Sequence, residues 1–322
     1  MPSYDREKAD KCAHSYELLR PVDAAHIAYP RVWIGTWSMG GEGFGPHDLG
    51  ESVKTLEKAY QLGFRHFDTA GFYANGRSEE LLAKVFGRVR KRIFISTKGG
   101  LWREGRRVWH DARPEALRQA LFESLDQLRT DYLDLFQLHW PDPNVPLDES
   151  LGALEELKQE GLVRFIGVGN LTGEVIRKFI EPGMLIPHQV HFNPICTKHV
   201  DGLKAGREGA RCINCVTSPF EQGLLVNPVY LKKRLGKKDV RNRNPLFRDT
   251  TVISRLRQFF RECKQQNVSP AAVILSWLLN RDEVDIVIPG PRRPKQIEEL
   301  VDGVGKVDSH EVKNVGMRFL NK

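Results

Sequence analysis

Gly63-Phe64-Arg65-His66-Phe67-Asp68-Thr69-Ala70, then Phe72-Tyr73-Ala74-Asn75-Gly76-Arg77-Ser78-Glu79-Glu80, then Ile93-Phe94-Ile95-Ser96-Thr97-Lys98 is the stretch on which the fold turns. One short apolar run ends in a carboxylate, a polar turn carries a phenol, and a second apolar run ends in an ammonium. Runs of this length and composition read as strands. The next one, Leu133 to His139, also ends in a titratable group, in Leu138-His139-Trp140-Pro141. Reactive residues at the ends of successive strands are what a parallel α/β barrel produces, because its chemistry sits at the C-terminal face.

Outward from this stretch, further strand-like runs occur at Val32 to Trp37, Val163 to Gly169, His188 to Asn193, Cys212 to Ser218 and Val284 to Pro289. With His66 to Ala70, Ile93 to Lys98 and Leu133 to His139 they make eight, the barrel number. Between them lie amphipathic segments. In Arg113 to Arg129, Leu117, Ala120, Leu121, Leu125 and Leu128 recur at helical spacing behind Pro114. Glu51 to Leu62 and Leu147 to Glu160 are closed by Gly63 and Gly161, and Ser269-Pro270 opens a helix running to Asn280. Strands separated by helices pair in parallel through right-handed crossovers. A doubly wound sheet is the alternative, but no Gly-x-Gly-x-x-Gly follows an early strand.

The chain of 322 residues suits one barrel domain, with a core over about residues 31–302. Residues 1–30 are expected to cover the barrel floor, residues 221–250 form a long insertion after the seventh strand, and residues 309–322 form a C-terminal tail. Hydrophobic content of 40% and charged content of 28% are ordinary for a globular protein. No run approaches the ~20 apolar residues of a membrane span, and the charged stretch Met1 to Arg20 lacks the apolar core of a secretory signal, so a cytoplasmic protein is expected. Five scattered cysteines do not form a disulfide framework, and Cys212 and Cys215 read as buried strand thiols. The net charge of +8 is local, since Lys232 to Arg243 holds seven Lys or Arg against one Asp. Without interleaved aromatics this segment does not suit nucleic acid, and it is expected to stay flexible as an electrostatic cover.

With these motifs around them, Asp68, Tyr73, Lys98 and His139 resemble the catalytic quartet of the aldo-keto reductase family, and the resemblance runs from about Arg31 to Asp302. It implies a (β/α)8 barrel, an NADP(H) cofactor preferred over NAD(H), and a small aldehyde, ketone or alcohol as substrate, with no resident metal. Hydride delivery to a carbonyl leaves an alkoxide that needs a proton, so Tyr73 is the expected acid. Lys98 is expected to lower the phenol's pKa, Asp68 to keep Lys98 charged, and His139 to hold the substrate oxygen.

The resemblance also marks cofactor residues. In Gly167-Val168-Gly169-Asn170 the asparagine of the nicotinamide site is kept, with glycine in place of the family's serine, and Gln189 matches the glutamine on the other side of that amide. Thr217 stands where an aromatic usually stacks on the nicotinamide, so Phe192 or another aromatic would serve. Ser218-Pro219-Phe220-Glu221-Gln222-Gly223-Leu224-Leu225 resembles the pyrophosphate segment, marking Ser218, Phe220, Gln222 and Leu224. Gly290, Arg292, Gln296 and Glu299 match the adenosine 2'-phosphate segment, although Leu300 replaces its usual asparagine. Trp37, Phe44, Trp102 and Trp140 follow or end strands and are expected at the substrate mouth. Two other readings share these residues: a cofactor-binding regulatory subunit similar to potassium-channel beta subunits, and a metal-dependent barrel hydrolase using His66, Asp68, Lys98, His139 and His191.

Overall fold

The computed structural model describes residues 19–21, 28–41, 43–45, 47–105, 107–232 and 235–320. Eight strands form one sheet: β1 Ile34–Gly35, β2 His66–Asp68, β3 Phe94–Gly99, β4 Leu133–Leu138, β5 Val163–Gly169, β6 Ile186–His191, β7 Cys212–Thr217 and β8 Ile286–Ile288. They pair in parallel in sequence order. The sheet then closes on itself, because Val32 bridges Val287 and the backbone hydrogen bonds Trp33 N to Val287 O (3.0 Å) and Gly35 N to Pro289 O (2.8 Å) join its two edges. This is the (β/α)8 barrel, and each expected run overlaps its strand, although the third strand runs one residue past its run, to Gly99, and the sixth begins two residues before its run, at Ile186.

Among the described residues ten α-helices accompany the strands: α1 Leu49–Gln61, α2 Arg77–Phe86, α3 Pro114–Leu128, α4 Leu147–Gln159, α5 Gly173–Phe179, α6 Val200–Arg207, α7 Thr250–Gln265, α8 Pro270–Leu279, α9 Pro294–Gly305 and α10 His310–Leu320. The main core lies between the outward faces of the strands and the helices, with Phe67, Phe86, Leu117, Leu121, Phe136 and Leu154 all buried. Strand residues alternate faces, so β2 turns Phe67 to the helices and His66 and Asp68 to the barrel axis. Trp33, Leu135, Cys215, Ile286 and Ile288 form a separate apolar cluster. His66 stacks between Trp33 (5.2 Å) and Phe94 (5.0 Å) beside it. Cys212 and Cys215 are free and buried, as strand thiols.

Two segments differ from expectation. The C-terminal tail is largely helix: Ser309 Oγ accepts from Val312 N, and α10 buries Val312, Val315 and Gly316 against its neighbours. The link between β3 and α3 is a hairpin, Leu101–Glu104 with Arg107–His110, in which Trp102 sits opposite Trp109. The expectation that residues 1–30 cover the floor falls mostly outside the described residues, which include there only an antiparallel hairpin of Leu19–Pro21 with Ala28–Pro30. No helix among the described residues is long and apolar enough to cross a membrane.

Burial holds both His66 and His188 down to about 4, against an ordinary value of 6.5. Unfolded, each takes a proton near pH 6.5, whereas folded it resists until near pH 4. Their contribution to stability is therefore complete above 6.5 and is lost as pH falls toward 4, at up to about 1.4 kcal/mol per pH unit per group. His66→Phe, which keeps an aromatic ring in the stack, should flatten the dependence of urea stability on pH across that window. An unchanged slope would show that His66 is not the group that titrates.

Candidate active site

The four residues of the quartet converge at the C-terminal end of the barrel. Asp68, at the end of β2, accepts hydrogen bonds from Lys98 Nζ (2.8 Å) at Oδ1, and from Ser96 Oγ (3.0 Å) and Gln189 Nε2 (2.6 Å) at Oδ2. Lys98 also donates to the Thr69 carbonyl at 2.7 Å. Both side chains of this ion pair are only 4% exposed. Tyr73 hangs in the loop after β2, which two residues in the left-handed region, Ala74 and Asn75, turn back into α2. Its ring stacks on Trp37 at 6.0 Å and meets His139 edge-on at 5.9 Å. Lys98 Nζ lies 5.3 Å from the ring centroid.

The electrostatics separate these groups. Burial raises the Tyr73 phenol above its ordinary value, and the opposing pull of Lys98 is the smaller effect. This corrects the expected lowering: at this depth desolvation outweighs a neighbouring charge, and the phenol keeps its proton. Burial works against the Lys98 charge too, but the Asp68 carboxylate and Tyr73 outweigh it, so its ammonium is held above the usual range. Burial, then repulsion from Lys98 and His110, keep His139 neutral. Its Nδ1 is buried without a partner.

A cavity of about 870 Å³ opens above this cluster. Asp68, Tyr73 and His139 line one end with Trp37, Phe44 and Trp140, whereas Arg241 and Arg292 line the wall together with Gly290, Gln296 and Glu299. Asn170, Ser218, Phe220 and Gln222 also line it. Lys98 lies beneath the wall, and Gln189 is buried against Asp68, with its Oε1 unpaired.

Three expected residues point elsewhere. Leu224 is fully buried in the main core. Trp102 stays in the hairpin and donates from Nε1 to the Asp111 carbonyl. Phe192 is buried against Trp277 at 5.5 Å, so it cannot replace the aromatic missing at Thr217, which does line the cavity. The glycine in place of serine also has a steric cause. A Cβ on Gly169 would lie 2.6 Å from the His139 carbonyl oxygen, the same oxygen that accepts from Asn170 Nδ2 at 3.0 Å.

Arg241, inside the basic segment, is a cavity residue that the sequence did not single out. It is buried, paired with Asp239 (2.6 Å), lies over the Tyr230 ring (4.5 Å), and donates to the Phe44 carbonyl. Val240 N donates to Gly43 O at 2.7 Å, and Gly43, at φ +73, has no room for a Cβ beside Val240. The described part of this segment is thus pinned across the cavity rather than held open by charge repulsion, since Asp239 neutralises the arginine that faces inward. The residues of the metal-hydrolase reading do not gather: His66 lies in the aromatic stack beside Trp33 and His139 at the mouth, and no group of three potential ligands among the described residues joins them.

Comparison with known proteins agrees with this geometry. The model of the aldo/keto reductase family matches residues 31–315. The chain belongs to the aldo/keto reductase family. It is 28% identical over 302 residues to the NADH-specific methylglyoxal reductase of Escherichia coli, covering 87% of this chain and 91% of that one. It is 30% identical over 305 residues to the L-glyceraldehyde 3-phosphate reductase of the same organism, covering 87% and 86%. The structure of a glycerol dehydrogenase from Gluconobacter oxydans superposes with a TM-score of 0.77 at 27% identity, over 96% of this chain and 97% of that one. The chain is thus similar to oxidoreductases along nearly its whole length.

Lys98 and Asp68 are each other's main compensation, so removing one leaves a buried charge. Lys98→Met should cost about 3–5 kcal/mol in denaturant unfolding, and adding Asp68→Asn to that variant should recover a substantial part. Strictly additive losses would show that the pair is not coupled.

Proposed function

We propose that this aldo-keto reductase reduces an aldehyde or ketone to an alcohol, or runs the reverse oxidation, with NADP(H) and with Tyr73 as the proton donor. The observation that carries the reading is the convergence of a protonated Tyr73, a neutral His139 and the buried Lys98–Asp68 pair at one end of the cavity. The residues fit a nicotinamide cofactor: Gln189 Oε1 is a buried acceptor with no partner, Asn170 lies on the wall, and Arg292 supplies positive charge for phosphates. When bound, such a cofactor supplies or accepts the hydride.

The protein's part is to orient the carbonyl and deliver the proton. His139, being neutral, has one N–H to donate to the substrate oxygen and does not compete with Tyr73 as an acid. Tyr73 gives its proton to the oxygen as negative charge develops there. The Lys98 ammonium then stabilises the phenolate, and Asp68 holds that ammonium charged and in place. Trp37, Phe44 and Trp140 give the carbonyl an apolar surround that excludes water.

Tyr73→Phe should lower reduction on the order of 10²- to 10⁴-fold while cofactor affinity stays nearly constant. The check is steady-state reduction of a panel of simple aldehydes together with a fluorescence titration of cofactor. Parent-level turnover in the variant would exclude Tyr73 as the acid.

The preference for NADP(H) rests on Arg292, at the start of α9, whose Nη1 donates to the Phe44 carbonyl (2.7 Å) at the edge of the cavity. Gln296 Oε1 accepts from the backbone of Arg292 and of Arg293, which fixes this first turn. Arg292→Ala should weaken NADPH by about 1.5–3 kcal/mol, the range for a hydrogen bond to a charged group, and leave NADH almost untouched. Equal losses for the two cofactors, or a parent enzyme that prefers NADH, would overturn the preference.

A further inference from the structure

His191, Cys196 and Glu221 take no part in the proposed reaction, yet they bring a nitrogen, a sulfur and a carboxylate oxygen within 4.8 Å of one another. We propose that these three residues bind a divalent ion of the zinc class, on the wall of the cavity and at the root of the 221–250 segment.

The local backbone is built to make them meet. His191 ends β6, and reciprocal backbone hydrogen bonds between Asn193 and Cys196 (3.2 and 3.0 Å) fold the chain back so that Cys196 returns beside it. Asn193 Oδ1 accepts from Ile195 N (3.0 Å) and fixes that turn. From the other side, Glu221 adopts φ +44, a conformation costly for a non-glycine residue, and its side chain is fully buried with Oε2 2.8 Å from His191 Nε2. Asn193 and Asn244 each donate an amide hydrogen bond to this carboxylate. Metal-bound carboxylates are oriented by outer partners of this kind.

The donor set decides the class of ion. Imidazole and thiolate favour zinc-like ions over magnesium or calcium, which prefer all-oxygen cages. Three protein ligands leave a fourth position open. His191 lines the cavity, which gives an ion a way in. Cys196 is only partly buried, whereas Cys212, Cys215 and Cys263 are buried. The bound ion takes the place of the proton between His191 and Glu221, and it ties the turn after β6 to the first residues of the 221–250 segment, a strap after β7. The competing reading is a plain buried His–Glu ion pair with a bystander thiol.

Full-length protein, freed of metal with a chelator and titrated with Co²⁺, separates the two without any turnover assay, so its failure is distinct from failure of the proposed reaction. The expected result is one equivalent bound with a thiolate-to-cobalt charge-transfer band, displaced by Zn²⁺. Cys196→Ser should abolish the band and weaken Co²⁺ binding at least tenfold. Asn244→Ala, which leaves all three ligands, should keep the band and weaken binding roughly 10- to 100-fold. The absence of a thiolate band in the parent protein, its survival in Cys196→Ser, or unchanged affinity in Asn244→Ala would overturn the proposal.

Discussion

An ammonium and a carboxylate shut away from water inside a barrel set the terms for everything above them. Burying each of Lys98 and Asp68 costs several kcal/mol, and their attraction offsets this only when the remaining donors and acceptors are also satisfied. Ser96 and Gln189 meet the second Asp68 oxygen, and the Thr69 carbonyl takes another Lys98 proton. The register of β2, β3 and β6 is therefore fixed by polar bonds across the axis as well as by the sheet. An apolar cluster of Trp33, Leu135, Cys215, Ile286 and Ile288 keeps the rest of the axis dry. Tyr73 owes its electrostatics to this arrangement: burial raises its phenol, and the Lys98 ammonium beside it pulls the other way with smaller effect.

How much of this could be read from the chain depends on how local the cause is. The strands were legible because each apolar run is short, continuous and bounded by turn residues, and the quartet because Asp68, Lys98 and His139 each stand at the end of a run. The α10 helix escaped notice because its buried residues, Val312, Val315 and Gly316, are few and the segment is short. The direction of a side chain in an irregular segment was not legible either. Gln222 faces the cavity and Leu224, two residues on, faces the core, because left-handed turns at Ser218, Glu221 and Gln222 break any periodicity. Burial raises the Tyr73 phenol against the opposing pull of Lys98, and depth of burial, a property of the whole barrel, decides the direction.

Arg241 teaches the same lesson from the other side. In sequence it is one of a crowd of cations, yet Asp239, Tyr230 and the Phe44 carbonyl draw it inward, and Phe44 O accepts from Arg292 as well. One backbone oxygen thus gathers the loop after β1, the strap after β7 and the start of α9 at the edge of one cavity.

The closing seam of the barrel also has a consequence for how the protein is made. Arg31 Nε donates to the carbonyl of Asp285, 254 residues away, and its Nη2 to that of Val284. Contacts this distant in sequence carry a large loop-closure entropy. During synthesis β1 can pair with β2 early, but its other edge has no partner until β8 has left the ribosome. For most of translation the nascent chain therefore carries an open strand edge, the kind of surface that invites pairing with a second chain. The brevity of β1, two residues in the ladder, keeps that exposed edge small while it waits.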